Sequence, residues 1–343
     1  MADQTEEVIL EVKNLRTDFV SEEKTVHAVQ DVSFRILRGE TFGLIGESGC
    51  GKSVTCRSLM RLLKDPGKIA GGEIIYNGTD LLTLKDKEMQ KIRGGEIGMI
   101  FQDPMTTLNP VLTIREQIIE SIKEPGMTKK QKDERALELL KMVGIPSAKE
   151  RLKCYAHQFS GGMRQRAMIA IALASNPHLL LADEPTTALD VTIQDQIIKL
   201  LKRLKKELNM SLVLVTHDLG VASQMCDHIA VMYAGRIMEM AKAEDIFEKP
   251  RNPYTYGLMR AIPSIEKKGE GLYSIDGMPP NLDDMPSGCP FSPRCEFCEE
   301  ICKKEIPELV EVESGHFSRC HCLEKMMNIK GRLEKEEGGM SDD

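Results

Sequence analysis

The chain has 343 residues with 46 Lys and Arg against 53 Asp and Glu, a size that holds one large domain and one small one. A net charge of -7, no Trp and only 4% aromatic residues weigh against a nucleic-acid surface, a base-stacking platform or an aromatic sugar cleft. No apolar run reaches the roughly 18 to 20 residues of a membrane-spanning helix, and the acidic opening MADQTEEVIL is unlike a secretion signal, so a cytoplasmic chain is expected.

The first segment, EVKNLRTDFVSEEKTVHAVQDVSFRILRGE, alternates with period two and breaks at charged residues, which predicts an antiparallel hairpin beside a main sheet. Short apolar runs at 42–45, 97–101, 179–182, 212–216 and 229–233 predict buried strands, and the helix-patterned segments between them predict an α/β sheet. In VTIQDQIIKLLKRLKKEL, Ile193, Ile197, Leu200, Leu201, Leu204 and Leu208 recur mostly at three- and four-residue intervals, the mark of a helix with one apolar face. Residues 104–175 read as an inserted helical subdomain broken at Pro110, Pro125 and Pro146. Nine of the 16 prolines lie between Pro250 and Pro307, where strand alternation is expected to stop and a separate module to begin. The final GRLEKEEGGMSDD is charged and glycine-containing and reads as a frayed tail.

Directly after the strand at 42–45 stands Gly46-x4-Gly51-Lys52-Ser53, followed by a helix pattern. That context defines a phosphate-binding loop, in which backbone amides wrap the phosphates, Lys52 reaches the terminal ones and the Ser53 hydroxyl faces Mg2+. Gly46, Glu47, Ser48, Gly49, Cys50, Gly51, Lys52, Ser53 and Val54 are the candidate nucleotide contacts. The apolar strand LLLADEP ends in Asp183, a candidate Mg2+ holder, and Glu184, placed to polarise the attacking water. A carboxylate is too weak a base to ionise water outright, so Glu184 orients the water and takes its proton late. Together these predict a nucleotide hydrolase.

Further motifs narrow the reading. HQFSGGMRQR, carried by Ser160, Gly161 and Gly162, resembles the signature of ATP-binding cassette proteins. Phe101-Gln102 resembles that family's Q-loop, Ala188-Leu189-Asp190 its D-loop and Thr216-His217-Asp218 its switch histidine, all in the family's order. The resemblance implies an α/β P-loop cassette with an antiparallel flank and a helical subdomain, working as a head-to-tail dimer in which Ser160, Gly161 and Gly162 close on the ATP of the partner. It also implies that Gln102 senses Mg2+ and nucleotide, that His217 contacts the γ-phosphate and holds the water, and that Phe19 stacks on adenine, with an ordinary strand phenylalanine as the lesser alternative. Phe159 and Met163 depart from the Leu and Gln that usually flank the signature, and Met163 lacks the amide contacts of Gln. A heterodimer is compatible with that asymmetry, and a homodimer stays open.

KPRNPYTYGLMRAIPS, the PPNL ending at Leu282 and CPFSPRC at 289–295 resemble the segment that follows the cassette in dipeptide and oligopeptide importers, close to the dipeptide-type ATPase subunit. The implied division is a nucleotide-binding domain over 1–250, a transporter-specific module over 251–323 and a tail over 324–343. Six of the ten cysteines fall in the last fifth of the chain, which without a secretion signal favours metal chemistry over disulfides. Spacing leaves zinc and an iron–sulfur cluster both open, since Cys295-x2-Cys298 and Cys320-x-Cys322 suit tetrahedral zinc. The family's recurring set maps onto Cys289, Cys295, Cys302 and Cys320 and implies a 4Fe-4S cluster, leaving Cys298 and Cys322 outside. Such a staple suits a proline-rich module with little core. His316 and His321 are near enough in sequence to be weighed as ligands, though a lone surface histidine is the commoner outcome.

The implied activity is ATP hydrolysis that energises import of dipeptides or oligopeptides. The implied partners are two membrane permeases, a second cassette and, indirectly, an extracytoplasmic peptide-binding protein, with the chain peripheral on the cytoplasmic face of the membrane. Nickel, an oligosaccharide or an antimicrobial peptide as cargo stay open, because fold does not fix cargo. A soluble cassette ATPase on nucleic acid or ribosomes is the reading from another class, disfavoured by one cassette, no sustained heptads and acidic balance.

Overall fold

The computed structural model describes residues 7–261 and 273–327. The acidic start before residue 7 and the tail beyond residue 327 therefore lie outside the described residues. The strands are β1 (Val8–Val20), β2 (Thr25–Leu37), β3 (Thr41–Ile45), β4 (Gly67–Tyr76), β5 (Thr79–Asp80), β6 (Ile97–Ile100), β7 (Leu179–Asp183), β8 (Ser211–Thr216), β9 (His228–Tyr233), β10 (Arg236–Lys242), β11 (Val310–Glu313) and β12 (His316–Ser318). The helices are α1 (Lys52–Leu59), α2 (Asp86–Ile92), α3 (Pro104–Thr107), α4 (Ile114–Ser121), α5 (Lys129–Met142), α6 (Ala148–Arg151), α7 (Gly161–Ala172), α8 (Val191–Glu207), α9 (Leu219–Met225), α10 (Ala243–Glu248), α11 (Pro253–Arg260), α12 (Glu300–Lys304) and α13 (Leu323–Met327).

Two sheets carry the molecule. The first runs β2-β1-β4-β5 and is antiparallel throughout, so the expected hairpin is present and gains β4 as a third long strand. The second runs β11-β12-β10-β9-β3-β8-β7-β6, with β9, β3, β8, β7 and β6 parallel. Strand alternation divides the parallel strands between two cores. Leu179, Leu181, Val213 and Val215 face the cluster shared with β1, β2 and α1, whereas Leu180, Ala182, Leu212 and Leu214 face the helices.

On the helical side, α8 buries Ile197, Ile198, Leu200, Leu201 and Leu204, each worth about 1.5–3 kcal/mol relative to exposure. Its lysines stay on the opposite face, as the spacing predicts. The region read as a helical insertion contains α3 to α7, with Pro110, Pro125 and Pro146 in the connections between successive helices. Thr113 and Thr128 start α4 and α5 through capping boxes with Glu116 and Gln131.

Between Pro250 and Pro307 no strand stands among the described residues, but strands return beyond it: β12 pairs antiparallel with β10 and β11 with β12, so the residues after Pro307 extend the main sheet. A buried pair fixes the join, His316 Nε2 standing 2.7 Å from Glu239 Oε1, with side chains 3% and 0% exposed. Asn252 Nδ2 donates to Met238 O and Arg319 O at 3.1 and 3.0 Å, tying the start of α11 to the same seam.

Candidate functional site

The fully buried β3 runs into Gly46, whose φ of +146° and close approach to Met232 O leave no room for a side chain. A Cβ there would stand 2.2 Å from that oxygen, so the strand can turn into the loop only through glycine. At the far end Gly51, with φ +102°, delivers the chain into α1, which starts without a side-chain cap. Its first amides lack a side-chain acceptor, and a helix beginning this way presents them and its dipole to an anion. Lys52, 3% exposed, donates from Nζ to Gly46 O and Glu47 O at 2.8 Å each. An ammonium folded onto its own loop's carbonyls is a cation held in place with two bonds it can exchange for phosphate oxygens.

Ser53 Oγ donates to Asp183 Oδ1 at 2.6 Å, joining the start of α1 to the end of β7. Asp183 is fully buried, and its Oδ2 has no hydrogen-bond partner among the described residues. Burial raises the Asp183 pKa, against the lowering effect of the Ser53 hydrogen bond. A buried carboxylate oxygen without a partner beside a serine hydroxyl suits a divalent cation, which would supply the missing contact.

Glu184 follows in the left-handed region, φ +48°, which turns its side chain back toward the phosphate loop. Its Oε2 accepts from Gln102 Nε2 at 3.0 Å and from Thr187 Oγ1 at 2.8 Å, and its Oε1 stands 3.4 Å from His217 Nδ1. Gly46, Glu47, Ser48, Glu184, His217, Leu219 and Leu258 line one cavity of ≈ 340 Å³. The ends of β3, β6, β7 and β8 thus bring Lys52, Ser53, Gln102, Asp183, Glu184 and His217 together, at the carboxyl edge of a parallel sheet where such sites form.

Five residues here carry no motif of their own in the sequence, Leu219 at the start of α9 among them. Thr187 has no motif signal beyond following the acidic pair. Leu258, Tyr254 and Arg294 come from the proline-rich segment: Leu258 lines the cavity, Tyr254 Oη accepts from Glu47 N at 3.0 Å, and Arg294 grips the Glu47 carboxylate. Only the resemblance of KPRNPYTYGLMR and CPFSPRC to an importer segment marked those stretches at all.

Other candidates stand apart from the cavity. Phe19 lies in β1, paired across to Val26 and Gly67, with its ring edge over the Gly67 backbone. Ser160 and Gly161 are exposed at the start of α7, where Ser160 Oγ accepts from Met163 N at 3.3 Å. A Cβ on Gly162 would lie 2.9 Å from Ile193 Cγ2, so the start of α7 packs against the start of α8, itself capped by Asp190. Phe159 is buried beneath this turn, with Arg151 over its ring at 5.9 Å. Beside Gln102, a groove of ≈ 230 Å³ between β6, α4 and α7 includes Phe101, Leu108, Gln117, Met168 and Ile171.

Among the described residues, no group of three or more His, Cys, Asp or Glu side chains stands in metal-holding geometry. The six late cysteines are nonetheless neighbours. Burial, with nearby thiols adding to it, pushes Cys289 up to about 11 and Cys295 up to about 12, and raises Cys320. Amides of Phe291 and Ser292 point at the Cys289 sulfur, that of Phe297 at Cys295, and Cys322 N donates to Cys320 Sγ at 3.2 Å. Amide donors of this kind stabilise thiolates, so the donor set is chemically suited to a metal or cluster. Cys302 Sγ lies 4.0 Å from Cys322 Sγ. His316 is already engaged with Glu239, and His321 Nε2 lies 3.0 Å from Glu305 O.

Residues 29–187 match the ABC transporter family and residues 238–302 the oligopeptide/dipeptide transporter C-terminal region. The chain is 48% identical to the oligopeptide transport ATP-binding protein OppD of Salmonella typhimurium, over 93% of this chain and 95% of that one. It is likewise 48% identical to the dipeptide transport ATP-binding protein DppD of Bacillus subtilis, over 92% and 94%. Among solved structures it resembles a dimeric ATP-binding cassette in a post-hydrolysis state bound to ADP and Pi, with TM-score 0.61 and 33% identity, over 68% of this chain and 98% of that one.

Proposed function

The chain belongs to the ATP-binding subunits of oligopeptide and dipeptide transporters in the ATP-binding cassette family, and from that premise we propose how its residues divide the work of an ATPase that energises peptide import. The observation that carries the reading is the linkage of Ser53 to Asp183, of Gln102 and His217 to Glu184, and of Lys52 to Gly46 and Glu47, beside a cavity lined by Gly46, Glu47, Glu184 and His217, with Asp183 Oδ2 left without a partner among the described residues. In this reading Lys52 and the amides of residues 46–54 hold the triphosphate. Ser53, Asp183 and Gln102 hold Mg2+, which when bound neutralises charge on the phosphate oxygens. Glu184, steadied by Gln102 and Thr187, orients the water and takes its proton late, while His217 holds that water against the γ-phosphate. Phe19 stacks on adenine.

Ser160, Gly161, Gly162 and Asp190 act on the nucleotide of a second cassette, because the exposed position of Ser160, Gly161 and Asp190 at the heads of α7 and α8 suits an interface rather than their own cavity. That partner is a second ATPase subunit, identical or different. The groove beside Gln102 receives a helix from a permease, which couples the water-positioning glutamine to transport. Residues 1–250 form the nucleotide-binding part, with helical residues 104–175 inserted, and 251–323 the importer-specific part. The assembly holds two permeases, receives peptide from an extracytoplasmic binding protein, and keeps this chain on the cytoplasmic face. Among the described residues no helix is long and apolar enough to cross a membrane.

For the cysteine region we propose a 4Fe-4S cluster held by Cys289, Cys295, Cys302 and Cys320, with zinc the alternative. The amides aimed at three of those sulfurs support it. A bound cluster supplies cross-linking energy to a segment with few apolar residues of its own.

In proteoliposomes with its permeases and binding protein, the chain is expected to hydrolyse ATP with Mg2+ and drive uptake of a labelled dipeptide, both lost in Lys52→Ala. Undiminished hydrolysis in that variant removes the phosphate loop from the site. Hydrolysis coupled to nickel or oligosaccharide uptake, with none of peptide, changes the cargo.

A further inference from the structure

Glu47 places a carboxylate inside a loop shaped to receive a polyphosphate, a charge that opposes the ligand unless it is neutralised. The neutralising group comes from 247 residues further along the chain. Arg294 Nη1 and Nη2 donate to Glu47 Oε2 and Oε1 at 2.7 and 3.0 Å, a bidentate pair. The rest of the guanidinium is equally committed. Nη1 also donates to Tyr233 Oη at 3.2 Å, Nε to Asp276 O at 3.0 Å and Nη2 to Ile275 O at 3.4 Å. All five N–H donors of an arginine can thus be matched with acceptors. The Arg294 side chain is 5% exposed and that of Glu47 26%, so solvent does little to screen the pair.

We infer that Arg294 is a positioning residue for the ATP site, holding the Glu47 carboxylate neutralised and turned away from the incoming phosphates. The inference rests on the phosphate-loop reading above. It gives the importer-specific segment a part in nucleotide affinity, since Arg294 sits in the 3-10 turn Ser292–Arg294 between Cys289 and Cys295. Tyr254 and Leu258 of α11 reach the same loop and cavity independently.

The test is titration of the full chain with a fluorescent ATP analogue, with steady-state hydrolysis measured alongside. In Arg294→Gln the bare carboxylate is expected to weaken binding by about tenfold or more, with KM rising more than kcat falls. Neutralising both partners, Glu47→Gln with Arg294→Gln, is expected to bring Kd back to within about threefold of wild type, since the repulsion is gone. Glu47→Gln alone leaves an uncompensated cation beside the loop and should bind more tightly than wild type, a readout that needs no change at Arg294. Wild-type affinity in Arg294→Gln, a double variant as weak as the single one, or weakened binding in Glu47→Gln overturns the inference. Lys52→Ala serves as control: normal nucleotide binding there would mean that the phosphate-loop reading, and not the arginine clamp alone, had failed.

Discussion

Gln102 Nε2 donates to Glu184 Oε2 at 3.0 Å, linking the second residue after β6 to the residue just after β7 beside the glycine loop. Thr187 Oγ1 occupies the same oxygen at 2.8 Å, so Oε1, 3.4 Å from His217 Nδ1, is the less committed side of the carboxylate. A water held between Oε1 and His217 would lie beside the loop proposed to hold the phosphates. Glu184→Gln keeps the shape and the acceptor toward Gln102 but removes the proton acceptor. Turnover is expected to fall by about 10²-fold or more while ATP affinity stays near wild type, and an ATP-bound dimer should accumulate in size-exclusion chromatography. Unchanged turnover would show that another group takes the proton.

The seam between β10 and β12 rests on a buried imidazole and carboxylate. Glu239 Oε1 accepts from Arg251 N and faces His316 Nε2, while Glu239 Oε2 has no partner among the described residues. Removing the imidazole takes one of the two partners from Glu239 Oε1, leaving the buried carboxylate with the Arg251 amide, at a cost of about 1–3 kcal/mol, and opens a cavity besides. His316→Ala should therefore lower the denaturation midpoint and make the segment after Arg251 susceptible to limited proteolysis, with the parallel sheet still protected. Equal protection of both regions would mean that Asn252 and Arg319 hold the seam without the histidine.

Much of the site was legible because its parts are short-range. A glycine loop after a five-residue buried strand, and two acids at the end of another, announce themselves within eight or so residues. Ser53 and Asp183 are 130 residues apart, yet Asp183 ends one readable strand and Ser53 opens the helix that follows another through the glycine loop, so the topology brings them together. The rest depends on long-range pairing. β4 is broken up by Gly71 and Gly72 and is half exposed, which erases alternation. β11 and β12 have four and three residues, too short for any period to register, and β11 is an exposed edge. Arg294 reads in sequence as one basic residue among prolines and cysteines, and only the fold reveals that it ends at Glu47.

His228 at the start of β9 stands 2.7 Å from Glu40 Oε1, with Asp227 and Lys242 also near. The Glu40 hydrogen bond raises the His228 pKa, outweighing burial and Lys242, which lower it, while Asp227 adds to the rise. A raised folded-state pKa gives stability that is complete below the unfolded value of about 6.5 and is lost as pH climbs through the folded value. The melting-point difference between wild type and His228→Gln should be largest near pH 6 and shrink toward pH 8. A difference that grows with pH would mean that the neutral imidazole is the stabilising form.

The cysteines separate two staples by stoichiometry. Cys289 precedes the turn that carries Arg294, Cys295 follows it, and Cys302 sits in α12, so a group binding all three would draw together the turn and the helix that follows it. Cys320, two residues beyond β12, would fasten that unit to the main sheet. Protein purified without oxygen is expected to be brown, with absorption near roughly 400 nm and about four irons and four sulfides per chain. Cys302→Ser should bleach it, and Cys298→Ser should not, because Cys298 lies outside the proposed four. Colourless protein with about one zinc, lost in Cys298→Ser or Cys322→Ser, would assign the alternative tetrahedral set instead.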